Sequence, residues 1–107
     1  KAFAVRIVKF YKYLCDEKKE YVLSKQILRS GTSIGANVRE SKNAQSKADF
    51  ISKMSIALKE ADETAYWIEL LTESEIIKAE QVKSLYDENT EIIKILSAIV
   101  KSSKIEN

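Results

Sequence analysis

Apolar residues recur at helical spacing along almost the whole chain. Phe3, Ile7, Phe10 and Leu14 fall at i, i+4, i+7 and i+11, widened by Ala4 and Tyr11, which predicts a helix over about 2–16. Val8 and Cys15 extend that arc beyond what one bundle core needs. Past the charged link Glu17-Lys18-Lys19-Glu20, the stripe Leu23, Ile27, Ser30, Ile34, Val38 and Ser41 predicts a second helix over about 21–44. Ser46, with Asp49 three positions on, reads as an N-cap in a variant capping box and opens a third helix over about 47–71. Phe50, Met54, Ala57, Ala61, Ile68 and Leu71 share its core face, with Leu58 and Ala65 beside them. After a short link, Val82, Leu85, Asn89, Ile92, Leu96 and Ile99 keep heptad spacing over a fourth helix, about 78–103. Tyr86, Ile93 and Val100 double that seam, which suggests that part of this helix meets another subunit. Residues 102–107 read as a frayed tail.

Four helices joined by short links predict an all-α, antiparallel up-down-up-down four-helix bundle, one domain over 1–107. The second helix is unusual. It carries both glycines of the protein, Gly31 and Gly35, at positions where glycine costs about 0.5–1 kcal/mol relative to alanine. Close backbone approach is the usual reason, so these glycines, with Thr32, Ser33 and Ala36, are expected to form a flat patch. The alanines of the third helix are its expected neighbour. A phosphate-binding loop is the alternative, but there is no Gly-x-x-x-x-Gly-Lys-Ser/Thr and no preceding strand. Asn37, at the edge of the stripe, is expected to make a buried hydrogen bond that fixes helix register, and Asn89 is a second core asparagine.

Composition removes chemistry more than it adds any. The 107 residues include no histidine, no proline and one cysteine, and 45% are hydrophobic. Zinc, haem, His-based triad and Glu-x-x-His di-iron chemistries all lose their usual ligand or base. Cys15 can form no internal disulfide, reads as a small buried hydrophobe, and points to a cytoplasmic setting. Glu60, Asp62, Glu63 and Glu69 could be a catalytic carboxylate pair, but on so charged a helix they read better as solvated or ion-paired. No apolar run approaches the roughly 20 residues that span a bilayer, and no leader with a small-residue cleavage site is present. The chain opens on Lys1, so its natural start is expected to lie upstream.

Net charge is +2 and unevenly spread: residues 1–45 hold ten Lys/Arg against four Asp/Glu, and residues 46–107 hold eight against twelve. A basic half allows a face for nucleic acid; a basic and an acidic half also allow self-association.

The stretch Arg29-Ser30-x-Thr32-Ser33-Ile34-Gly35-Ala36-Asn37-Val38-x-Glu40 resembles the signature of a bacterial family. So do Phe50-Ile51, Ile56-Ala57-Leu58-Lys59-Glu60-Ala61 and Glu63-Thr64-Ala65-Tyr66-Trp67-Ile68-Glu69-Leu70-Leu71. The family is that of the four-helix-bundle proteins encoded within intervening sequences of 23S ribosomal RNA genes. The resemblance covers essentially the whole chain and implies a bundle assembling as a homopentamer. It also implies similarity to the accessory protein of diversity-generating retroelements, a basic barrel that binds nucleic acid and a reverse transcriptase. The family carries a further segment before the position of Lys1. It offers no catalytic residues, so the motif residues Ser33, Asn37 and Glu40 transfer as structural positions only, beside Gly31, Gly35 and Asn89, which are structural positions on the periodicity.

The expected function is therefore a non-catalytic oligomer that binds structured RNA or a nucleoprotein. Arg6, Lys9, Lys12, Lys25, Arg29, Arg39 and Lys42 are the candidate phosphate contacts. Lys9 and Lys12 lie opposite the core stripe of the first helix by angle, and Lys25 and Arg29 opposite that of the second. The alternative is a scaffold whose partner is protein. No cofactor, metal, membrane or small-molecule substrate is expected.

Overall fold

The computed structural model describes residues 1–105, which form four helices: α1 (Ala2–Asp16), α2 (Leu23–Ser41), α3 (Lys47–Glu73) and α4 (Ala79–Ile105). They pack in sequence order, α1 on α2, α2 on α3 and α3 on α4, in a bundle 47 × 20 × 20 Å. The fourth helix runs to Ile105 where the sequence suggested fraying; Glu106 and Asn107 lie outside the described residues.

The α2 boundaries differ most from expectation, for local reasons. Lys19 takes a positive φ of 54°, and the Glu20 N–H donates to the Leu14 carbonyl, closing α1. The Glu20 carboxylate then turns onto the open end of α2. It accepts from the N–H groups of Leu23 at 3.0 Å and Ser24 at 2.7 Å, donors that the helix itself cannot satisfy. Glu20 thus starts the helix at Leu23 rather than Tyr21. At the other end Lys42, Asn43 and Ala44 donate to carbonyls three residues back, tightening α2 to a stop at Ser41.

Ser46 caps α3 as the sequence indicates, its Oγ accepting from the Asp49 N–H at 3.0 Å. The return bond reaches Gln45 N–H rather than Ser46 N–H, at 3.3 Å. Ser46→Ala is expected to cost about 1 kcal/mol in urea unfolding, the usual magnitude for a lost N-cap. A loss within error of zero would show that Asp49 and the first-turn dipole suffice. The end of α3 is a Schellman turn, with Glu75 at φ 62° and the Ile76 N–H donating to the Leu71 carbonyl.

The core follows the apolar stripes. Ile7, Leu14, Ile27, Ala57, Ala61 and Leu71 are fully enclosed, and Phe10, Phe50, Tyr86 and Ile92 pack at its edge. One layer at mid-height ties the four helices together. Ile7 lies on Gly31, the Ser30 hydroxyl is 2.8 Å from that of Thr64, and Asn89 donates to the Ala61 carbonyl at 3.0 Å. Thr64 passes its own proton to the Glu60 carbonyl, so Ser30 is the donor of the pair.

This layer corrects the expected glycine patch. A Cβ on Gly31 would sit 2.8 Å from Ile7 of α1, whereas one on Gly35 would meet nothing within 4 Å. The first glycine admits α1, not the α3 alanines, and Gly35 faces open space. Asn37 is corrected too: half-buried, it donates to the Ser33 carbonyl of its own helix at 2.9 Å and fixes no interhelical register. Asn89 is fully buried and bonds across to α3, and its Oδ1 has no partner among the described residues.

Candidate nucleic-acid interface

Helical geometry places the seven candidate cations, and it divides them. Arg6 points toward α4, where it pairs with Glu88 and donates to Ser84 at 3.2 Å. Arg29 turns toward α3 and pairs with Glu60 at 3.1 Å and with Glu63, which also accepts the Trp67 indole N–H at 3.0 Å. Carboxylates already offset both arginines, which clamp neighbouring helices rather than present free charge. The Arg6–Glu88 pair is solvent-exposed on both sides and adds at most about 1 kcal/mol, whereas Arg29 meets two partly buried carboxylates. The α3 carboxylates Glu60 and Glu63 are thereby ion-paired.

Lys9, Lys12, Lys25, Arg39 and Lys42 are exposed and have no carboxylate within ion-pair distance among the described residues. Two contacts fix which sides of α1 and α2 face each other: Ile7 on Gly31, and the Cys15 thiol 3.7 Å from the Ser24 hydroxyl. At about 100° per residue from those anchors, Lys12, Lys25, Arg39 and Lys42 fall on the outer face shared by α1 and α2, with Lys9 on the outer ridge of α1. Arg39 and Lys42 line a groove there with Lys1, Ala4, Gly35 and Ala36. Sequence periodicity did not single out Lys1, because only the α1–α2 packing brings it beside Arg39.

Because α1 and α2 are antiparallel, the cations form two groups. Lys12 and Lys25 stand toward one end, with Lys9 nearer the middle of α1; Lys1, Arg39 and Lys42 stand toward the other. Ala4, Val8, Leu28, Thr32, Gly35 and Ala36 lie between them and carry no charge. Asp16 of α1 and Glu40 of α2, the latter paired with Lys53, are the carboxylates these two helices carry. The far side of the bundle has the opposite character. A groove of about 330 Å³ between α3 and α4 is lined by Ile68 and Val82 with Glu69, Glu80, Lys83 and Asp87, of which Lys83 and Asp87 pair at 2.7 Å and leave Glu69 and Glu80 as its excess charge. There Tyr86 donates to Glu69 at 2.5 Å, and that bond pushes the phenol pKa up from its ordinary value.

The motif residues of α2 are satisfied locally. Thr32 and Ser33 return their hydroxyl protons to the Leu28 and Arg29 carbonyls at 2.6 Å. Glu40 pairs with Lys53 of α3 at 3.0 Å, which raises the lysine pKa. Cys15 is half-buried rather than enclosed. It lies beside Tyr11, whose phenol pKa it raises by hydrogen bonding. Among the described residues no group of three His, Cys, Asp or Glu side chains could hold a metal ion. No described helix is long and apolar enough to cross a membrane.

The family model of the 23S rRNA-intervening sequence protein matches residues 1–98. The chain belongs to that family. A protein of unknown function from the S23 ribosomal protein family of Bacteroides thetaiotaomicron VPI-5482, solved by crystallography, is similar at 62% identity. The match covers 94% of this chain and 93% of that one, with a TM-score of 0.91. No curated protein matches the chain. Neither the intervening-sequence protein family nor the Bacteroides relative is named for a reaction. The shared fold is the all-α four-helix bundle.

Proposed function

We propose that this intervening-sequence protein is a non-catalytic, cytoplasmic, self-associating bundle that binds structured RNA or a nucleoprotein through the outer face of α1 and α2. The observation that carries the reading is the set of five cations on those helices with no ion-pair partner, on the side of the bundle away from the acidic α3–α4 groove. A dipolar surface of this kind orients on a polyanion. Self-association, with five subunits on the family resemblance, is supported by large apolar side chains left in solvent, Val5 on α1 and Ile95 on α4 among them. The acidic groove supports the alternative, a scaffold whose partner is a basic protein.

The test is fluorescence anisotropy of a labelled RNA hairpin at 50 and 200 mM salt, with light scattering on the same sample. Five phosphate contacts predict a loss of affinity on the order of 100- to 500-fold across that range. An oligomer that ignores the hairpin at 50 mM salt overturns the RNA reading and leaves the scaffold.

A further inference from the structure

We infer that the α1–α2 face takes the backbone of a double-stranded RNA stem, each basic group meeting one row of phosphates, and reads no bases; this rests on the RNA reading above. The first argument is the division of charge. Lys25 and Arg39 are fourteen residues apart along α2, about 21 Å at 1.5 Å per residue, and Lys9 and Lys1, eight residues apart along α1, are about 12 Å apart. The surface between the two groups, Ala4, Val8, Leu28, Thr32, Gly35 and Ala36, is uncharged. A single strand held along a protein uses a continuous basic track with a ring under each of several bases. A duplex instead offers two phosphate rows with an uncharged groove between them, which two separated groups of cations can straddle.

The second argument is the absence of rings where bases would lie. Tyr21, which is exposed, belongs to the link between α1 and α2, two residues before Leu23, rather than to either helix. Tyr11 lies on the floor of the face, half-buried beside Cys15. Gly35, with nothing within 4 Å of a Cβ, keeps the middle flat and open. The third argument is donor chemistry. Four of the five unpaired cations are lysines, point charges suited to phosphate, and the forked donors Arg6 and Arg29 are engaged with carboxylates.

The experiment compares the purified chain on a fully paired RNA hairpin and on an unstructured RNA of equal length, by anisotropy at 50, 100 and 200 mM salt. The hairpin is expected to bind at least about tenfold tighter. Lys12→Glu with Lys25→Glu, and separately Arg39→Glu with Lys42→Glu, are each expected to weaken the hairpin tenfold or more. Each pair should also flatten the log–log salt slope by about two contacts. Circular dichroism of the same samples checks that these exposed changes leave the bundle folded. Equal affinity for the two RNAs overturns the duplex assignment and leaves RNA binding standing. An effect from one pair only overturns the straddled geometry. Failure to bind either RNA overturns both readings.

Discussion

Asn89→Asp is expected to cost about 4 kcal/mol at pH 7 and almost nothing at pH 4, a difference visible in urea melts at the two pH values. Asn89 is fully buried, donates through Nδ2 to the Ala61 carbonyl, and leaves Oδ1 without a partner. A carboxylate there would lose its hydration and turn an acceptor toward an acceptor. Only the protonated acid, whose O–H can still reach Ala61, suits the site. Its folded pKa is therefore raised above the unfolded value of about 3.9. For a group raised in this direction, the folded state keeps its stability below the unfolded pKa and loses it as pH rises. The loss is about 1.4 kcal/mol per unit, or about 4 kcal/mol over the three units to pH 7. That is a large share of the 5–15 kcal/mol typical of a domain. Asn89→Leu is the control: it removes the amide together with its orphan oxygen and should be nearly neutral at both pH values. Equal midpoint shifts for Asn89→Asp at pH 4 and pH 7 would show that the site is wetter than its burial implies.

The two glycines of α2 should respond in opposite directions to one and the same change. Gly31→Ala places a methyl 2.8 Å from Cγ1 and Cγ2 of Ile7, a β-branched side chain that is itself fully buried and has little freedom to turn. Overpacking of that kind costs about 1–3 kcal/mol, only partly offset by up to about 1 kcal/mol of better helix propensity. Gly35→Ala meets nothing and keeps the propensity gain, about 0.5–1 kcal/mol. In thermal melts, Gly31→Ala should fall by roughly 5–10 °C and Gly35→Ala should rise by a few degrees. Two shifts of the same sign would refute this division of roles. A loss at Gly35 alone would point to a neighbour brought by self-association.

These experiments bear on the places where sequence reasoning stopped short. The period of α1 could be read directly because Phe3, Ile7 and Leu14 need only the helix's own geometry to share a face. Ser46 was readable because an N-cap is satisfied within four residues. Glu20 was not: a carboxylate capping from outside the helix has no spacing of its own. The glycine pair misled because a small residue says that something comes close, and periodicity cannot say from which side. The candidate interface was half readable. Seven cations on two basic helices stand plainly in the sequence, but Arg6 and Glu88 are 82 positions apart and Arg29 and Glu60 are 31 apart.

The sequence by itself determined the all-α class, the number of helices and most of their core faces, since each depends on interactions within a few residues. It also determined the lack of histidine chemistry. Tertiary structure alone decided which helix meets Gly31, which arginines are neutralised, and that Lys1 joins Arg39 and Lys42. Those outcomes depend on how neighbouring helices are rotated and shifted against each other. That arrangement is set by the whole core at once, and no local pattern encodes it.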